Sequence, residues 1–379
     1  MSLFLLVIFG CYSAIHVYAF LKVRAAFPFG PLPGILLGMF MAAMTVAPIL
    51  VRLLEKHGHD LPARILSYVG YCWMGTLFLF FFLSLSLDLY RLAVHSAGMV
   101  LQKDLPAFLP APRTAFLVSL TIALVLSLYG FFNALDIRPE HLIIKTPKIP
   151  ESASPLRIAQ VSDVHLGLIV QDRRLKKILS VIRQANPDIL VSTGDLVDGQ
   201  IDSLSKLADI FQEVHPRYGK YAVPGNHEYY AGLPQALEIT RRAGFTMLRG
   251  EAVSVAGLVN LAGADDPTAR YFGMERGPSE ENLLSALPAG RFTILLKHQP
   301  RIKESSAGLY DLQLSGHTHN GQIFPFKFFV RLFFPHITGW YRLPGGSYLY
   351  VSRGTGTWGP PIRFLASPEV TIIDLVHGH

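Results

Sequence analysis

Four long apolar blocks follow one another at the start of the chain, at Leu3–Leu21, Leu32–Leu54, Ile65–Leu87 and Ala115–Leu135. Each is about 20 residues long and free of charge except at its ends, which suits a helix crossing roughly 30 Å of hydrocarbon. Four such blocks in succession argue against a buried soluble bundle, because lipid is the solvent that accepts helices apolar on every side. The first block lacks a basic leader and a small-residue cleavage site, so it reads as a retained span rather than a removable signal. His16 and His95 read as packing or membrane-edge residues, and Pro48 as a tolerated kink. After Leu135 the composition changes to that of an ordinary soluble protein, which places a domain boundary there.

An even number of spans returns both chain ends to one side of the membrane. Lys22, Arg24, Arg91, Lys103 and Arg113 then fall on one face, against Arg52, Lys56, Arg64, Arg138, Lys145 and Lys148 on the face bearing the soluble part. A one-charge excess leans toward a cytoplasmic soluble domain. The two cysteines, Cys11 and Cys72, both lie in spans and give no redox information. The net charge of +7 favours anionic lipid surfaces or phosphorylated ligands, and no nucleic-acid partner is expected.

Residues 136–156, rich in proline and polar side chains, read as a linker. Beyond it strands and amphipathic helices alternate. "LRIAQVSDVH" is strand-like, "RRLKKILSVIRQANPD" helical, "ILVSTGDLVDG" strand-like again, and "LSKLADIFQEVHP" precedes the strand of "KYAVPGNHE". In such α/β folds ligands gather at the carboxyl ends of strands. Those ends carry Asp163 with His165, Asp195 with Asp198, Asn226 with His227, then His298, then His317 with His319. Singly, each has an ordinary explanation as a turn residue, a cap or a packed histidine. Together they supply carboxylates, imidazoles and an amide carbonyl without a thiol, a set suited to two divalent ions.

The motifs "DVH", "GDLVDG", "GNHE", the isolated His298 and "GHTH" occur in the order and rough spacing of the calcineurin-like metallophosphoesterase family, which the region from Arg157 to Leu375 resembles. The closing "VSRGTGTWGPPIRF" is similar to a membrane-anchored bacterial phosphodiesterase-like branch. The resemblance implies a four-layer sandwich, two β-sheets flanked by helices, over residues 157–379, preceded by a four-helix transmembrane domain over 1–135. It implies that Asp163, His165 and His319 hold one metal, that Asn226, His298 and His317 hold another, and that Asp195 bridges them. It gives His227 the role of protonating the leaving oxygen and Asp198 that of orienting His227. The cofactors implied are two divalent ions, drawn from manganese, iron, zinc and magnesium, sharing an attacking hydroxide.

Two positions depart from the family. Gly199 stands where protein phosphatases carry a phosphate-gripping arginine, which argues against a phosphoprotein substrate. Asn320 stands where the branch usually has glycine and is expected to alter loop geometry rather than metal binding. Arg353 is a candidate phosphate contact, with a structural salt bridge as the competing reading. Residues 323–341, "IFPFKFFVRLFFPHITGWY", mix aromatic and basic side chains as interfacial segments do, but Pro325 and Pro335 break them too often to span. They read either as a lip in the headgroup layer or as a packed surface loop.

The expectation is therefore a multi-pass protein of the bacterial inner membrane that hydrolyses a phosphodiester, pyrophosphate or phosphomonoester of a lipid-linked substrate. The alternatives are a tethered hydrolase of soluble nucleotides or small phosphodiesters, and a non-catalytic binding module on the same fold.

Overall fold

The computed structural model describes residues 3–103, 109–199, 204–274 and 277–378. His379, the last residue of the expected catalytic domain, lies outside them. The chain forms two compact units, Met1–Phe132 with Gly359–Ile362, and Asn133–Trp358 with Arg363–His379.

The first unit contains helices α1 (Leu3–Ala26), α2 (Pro31–Lys56), α3 (Asp60–Leu101) and α4 (Pro112–Asn133). All four are long and apolar enough to cross a membrane. The third exceeds the expected block by about a turn at its start and several at its end, because the polar residues after Leu87 continue the helical hydrogen bonding. Polar side chains within the unit pair with one another, as apolar surroundings demand. Trp73 Nε1 donates to His16 Nε2 at 2.9 Å, and Lys22 and Tyr18 both donate to Asp88.

The second unit contains β1 (Arg138–Thr146), β2 (Leu156–Val161), α5 (Asp172–Ala185), β3 (Ile189–Ser192), α6 (Ser205–Gln212), β4 (Lys220–Ala222), α7 (Asn226–Ala231) and α8 (Leu233–Arg242). There follow β5 (Thr246–Met247), β6 (Glu251–Val255), β7 (Val259–Gly263), α9 (Glu280–Ser285), β8 (Phe292–Leu296) and β9 (Leu312–Ser315). The last elements are α10 (Lys327–Phe333), β10 (Gly339–Arg342), β11 (Tyr348–Val351) and β12 (Glu369–His377). Two six-stranded sheets result, ordered β1-β12-β2-β3-β4-β5 and β10-β11-β9-β8-β7-β6.

Strand alternation explains the layers. In β8, Ile294 and Leu296 join the core between the sheets, which also takes Ile158, Val191, Leu314 and Leu375. Leu295 points the other way, toward Leu283 and Leu284 of α9. On the outer face of the first sheet, Ala159 and Ile372 pack against Ile178, Leu179 and Ile182 of α5 and Phe211 of α6. The order is helix, sheet, sheet, helix.

The 136–156 segment is not a free linker. Arg138–Thr146 is an edge strand running parallel to β12, with Arg138 opposite Glu369 and Lys145 opposite Val376. Its proline and polar residues fit an edge, where one side of the strand needs no ladder partner. Only Ala134–Ile137 separates α4 from β1.

Candidate active site

The local folding that builds the site is the same at each strand end. Parallel strands β2, β3 and β4 stop at Val161, Ser192 and Ala222, and the chain turns at once into Asp163 and His165, Asp195 and Asp198, and Asn226 and His227. Strands β8 and β9, parallel in the other sheet, lead into His298 and then His317 and His319. Asp163, His165, Asp195, His317 and His319 all have left-handed backbones, with φ between 48° and 72°. This region costs a non-glycine residue of order 1 kcal/mol or more, and residues held in it cluster at functional sites. Here it turns successive side chains inward. Close approach also excludes side chains at two glycines: a Cβ at Gly225 would lie 2.1 Å from Asp195 Oδ1, and one at Gly316 1.9 Å from Ser162 Oγ.

The donor atoms form two groups that share Asp195. In the first, His319 Nε2 lies 3.2 Å from His165 Nε2 and 3.4 Å from Asp163 Oδ1, and His165 Nε2 lies 3.8 Å from Asp195 Oδ2. In the second, His298 Nε2 lies 3.1 Å from each of Asp195 Oδ2, Asn226 Oδ1 and His317 Nδ1. Atoms bonded at about 2.1 Å to one ion sit about 3.0 Å apart in an octahedron and about 3.4 Å apart in a tetrahedron. All the observed spacings except the 3.8 Å one fall in that range. Imidazole nitrogens facing each other at such distances have no better common partner than a cation.

The electrostatics agree. Burial, helped by the charges of His227 and His298 respectively, pushes His165 down to about 4 and His317 down to about 3. His319 is held well below the usual histidine range by burial and then by the Arg363 guanidinium. These three imidazoles are neutral, the form that ligates metals. At His298 burial is outweighed by the Asp195 charge, which raises the ring well above the usual histidine range, so a cation would have to displace that proton. Burial alone would raise the Asp195 carboxyl, but the charges of His298 and His227 outweigh it and hold the group ionised. Asp163, fully buried, is raised chiefly by burial, and a second cation would relieve that cost. Carboxylates, neutral imidazoles and an amide oxygen fit divalent metal ions.

Beside the shared carboxylate, the His227 backbone N–H donates to Asp195 Oδ1 at 2.8 Å, and His227 Nδ1 meets Asp198 Oδ1 at 2.9 Å. Burial would lower the His227 pKa, but Asp195 and Asp198 raise it to about 9. Its ring is flanked by Tyr230 at 5.5 Å and Trp358 at 6.0 Å between centroids. The structure thus brings together every expected ligand, with His227 and Asp198 adjoining.

Arg353 does not join them. Its guanidinium pairs with Glu140 at 2.6 Å and with buried Glu369 at 2.5 Å, so the salt-bridge reading replaces the phosphate contact. Asn320 has φ 50°, a conformation asparagine tolerates better than most residues, which lets it stand in for glycine there.

Two residues that sequence reasoning missed support the ligands. The buried Glu228 carboxylate accepts the backbone N–H groups of Asp195, Leu196, Val197 and Gly225, which fixes the turn that presents Asp195. Arg363, with none of its surface exposed, donates from Nη2 to His319 Nδ1 at 3.0 Å and from Nη1 to the His319 carbonyl at 3.1 Å. It leaves Nε2 of His319 as the nitrogen facing Asp163 and His165. The only sequence signals were a glutamate three residues into a helix and an arginine in the closing motif.

A two-sheet sandwich with aspartates, histidines and an asparagine converging at its strand ends defines a metal-dependent phosphoesterase. Residues 156–321 match the model of the calcineurin-like phosphoesterase family. An uncharacterised metallophosphoesterase of Aquifex aeolicus is 41% identical over 255 residues, covering 67% of this chain and 97% of that one. One from Campylobacter jejuni is 32% identical, covering 82% and 83%. A transmembrane protein with metallophosphoesterase domain from Danio rerio is 35% identical, covering 68% of this chain and 62% of that one. The chain belongs to the calcineurin-like phosphoesterase family, and is a membrane-associated member of it.

Proposed function

We propose that this protein is a multi-pass enzyme of the bacterial inner membrane whose second unit uses two divalent ions to hydrolyse a phosphate ester carried by a lipid. Asp163, His165 and His319 would hold one ion, Asn226, His298 and His317 the other, and Asp195 both. When bound, the ions would supply Lewis-acid activation of water and neutralise charge on the phosphoryl oxygens. His227, held protonated by Asp195 and Asp198, is placed to give its proton to the departing oxygen, and Asp198 fixes the ring through Nδ1. Glu228 and Arg363 hold the ligands still, so little reorganisation accompanies binding.

The observation that carries this reading is the pair of donor groups, spaced 3.2 to 3.8 Å in one and 3.1 Å in the other and joined through one carboxylate. Support for a lipid-borne substrate comes from the four apolar helices and from the exposed aromatic residues beside the site. The division follows the chain, with the membrane domain over residues 1–135 and the catalytic domain after it. The charge balance of the loops favours a cytoplasmic catalytic domain.

The test is metal content by mass spectrometry on the detergent-purified full chain, alongside hydrolysis of phosphodiesters with long acyl chains, short acyl chains or a nucleoside. Two ions per chain and a strong preference for the long chain are expected. Equal rates on all three would establish the tethered hydrolase of soluble substrates instead. Two bound ions without turnover on any of them would leave a binding module.

A further inference from the structure

The 323–341 segment folds into an unusual surface. Its helix α10 carries Phe328, Phe329, Leu332 and Phe333 and has no buried residue. Leu332 is 77% and Phe333 70% exposed. Four large apolar side chains exposed on one short helix of a folded domain are costly unless something other than water covers them. Basic residues are set among the rings: Lys327 Nζ lies 5.3 and 5.5 Å from the Phe324 and Phe328 centroids, and Arg331 occupies the last turn. From Leu312 to Pro368 the sequence has no aspartate or glutamate at all, so nothing on this stretch would repel an anionic surface.

The surface is also joined to the metal site. Phe334, at the C-cap of α10, packs its ring 4.8 Å from that of His317. At the other end, Gln322 donates to the Trp358 carbonyl at 2.8 Å and accepts the Trp358 N–H at 2.9 Å. Trp358, half exposed, stands beside His227. The surface therefore adjoins the expected ligand His317 at one end and His227 at the other.

We propose that α10 is a bilayer-seating helix: Phe328, Phe329, Leu332 and Phe333 enter the acyl–headgroup boundary, and Lys327 and Arg331 engage anionic phospholipid headgroups. This is the chemistry of interfacial helices, apolar on the buried side with cations at the headgroup level. The bilayer is chosen over a protein partner because the chain brings its own. Only Ala134–Ile137 lies between the last apolar helix and β1 in the chain, and the cations of α10 complement an anionic surface. The inference rests on the membrane-bound reading above and makes lipid access to the site direct.

The experiment uses the full chain with Cys11→Ala and Cys72→Ala, spin-labelled at Phe333→Cys, in nanodiscs of phosphatidylcholine with phosphatidylglycerol. A second preparation is labelled at Lys206→Cys, an exposed position of α6. Relaxation by oxygen and by a water-soluble nickel chelate is compared. The label at 333 is expected to lose chelate accessibility and gain oxygen accessibility, whereas the label at 206 stays aqueous. Adding Lys327→Gln and Arg331→Gln should make the 333 label shallower in discs with phosphatidylglycerol and change little in pure phosphatidylcholine. An aqueous profile at 333 overturns the proposal, as does spin–spin broadening showing that a second copy covers the helix. A depth indifferent to lipid charge overturns the headgroup assignment. No substrate or metal enters the measurement, so its failure would leave the hydrolytic reading standing.

Discussion

Arg363 offers the sharpest test of how the site is held. The guanidinium is fully buried, and four acceptors lie within 3.1 Å: the carbonyls of Gly356, Arg353 and His319, and His319 Nδ1. Among the described residues no carboxylate is bonded to it, and burial with the nearby Arg174 charge lowers its pKa to about 9. Arg363→Met would leave those acceptors without their donor, at about 1–3 kcal/mol each, partly offset by release of a buried charge. A net loss of about 3–5 kcal/mol follows, or roughly 10 °C in melting temperature for a domain of this size. Arg363→Lys keeps a cation with three donors but not the planar fork, so it should recover two or three of the contacts and cost about 1–2 kcal/mol. The assay is thermal unfolding of the detergent-purified full chain, combined with metal content after dialysis against a weak chelator. The expected order of stability is wild type, then lysine, then methionine. The lysine variant should remain folded yet give up one ion more readily, because it no longer braces His319 at Nδ1. A methionine variant that melts with the wild type and retains its metal would refute the reasoning, since the guanidinium would then be a passenger.

Two further outcomes follow from His227. His227→Ala should keep both metals and lose roughly 100- to 10,000-fold in turnover, read by metal analysis and steady-state kinetics on one preparation, because the ring adjoins the ligands without being one. In metal-stripped protein His227 should titrate near 9, since Asp195 and Asp198 outweigh burial. A histidine raised in the folded state adds stability that is complete below its unfolded value and lost as pH rises through the folded one. The loss therefore falls between about 6.5 and 9, and Asp198→Asn should shrink it. Nuclear magnetic resonance of the ring, with melts across that range, checks both.

The candidate ligands stood out in the sequence because their polarity is out of place. Asp163, Asp195 and His298 follow runs such as "RIAQV", "ILVS" and "TILL", and an apolar strand ending in a carboxylate or imidazole is conspicuous. Arg353 shows how a misread element propagates. With residues 138–146 taken as a connector, Glu140 had no position, and the phosphate contact and the salt bridge stood level for Arg353. Once β1 is placed beside β12, Glu140 and Glu369 enclose the guanidinium. Glu228 and Arg363 were hidden for a different reason. Their partners are backbone N–H and carbonyl groups, which every residue has, so no residue pattern announces them.

The left-handed backbones at five of the seven expected ligands show what the supporting residues are for. Each such residue, left to itself, would relax toward an ordinary conformation and swing its side chain out of the cluster. Glu228 counters this at Asp195 by binding the N–H groups of Asp195, Leu196 and Val197, and Arg363 does so at His319 by holding both its carbonyl and its ring. At His317, the backbone N–H donates to both Asp163 oxygens at 3.0 Å, so one expected ligand fixes another. The donor groups are thus restrained through the backbone by contacts that need no ion, which keeps the neutral imidazoles of His165, His317 and His319 and the ionised Asp195 in place. On the proposed function, binding energy from the ions would then be available for acidifying water rather than for ordering loops.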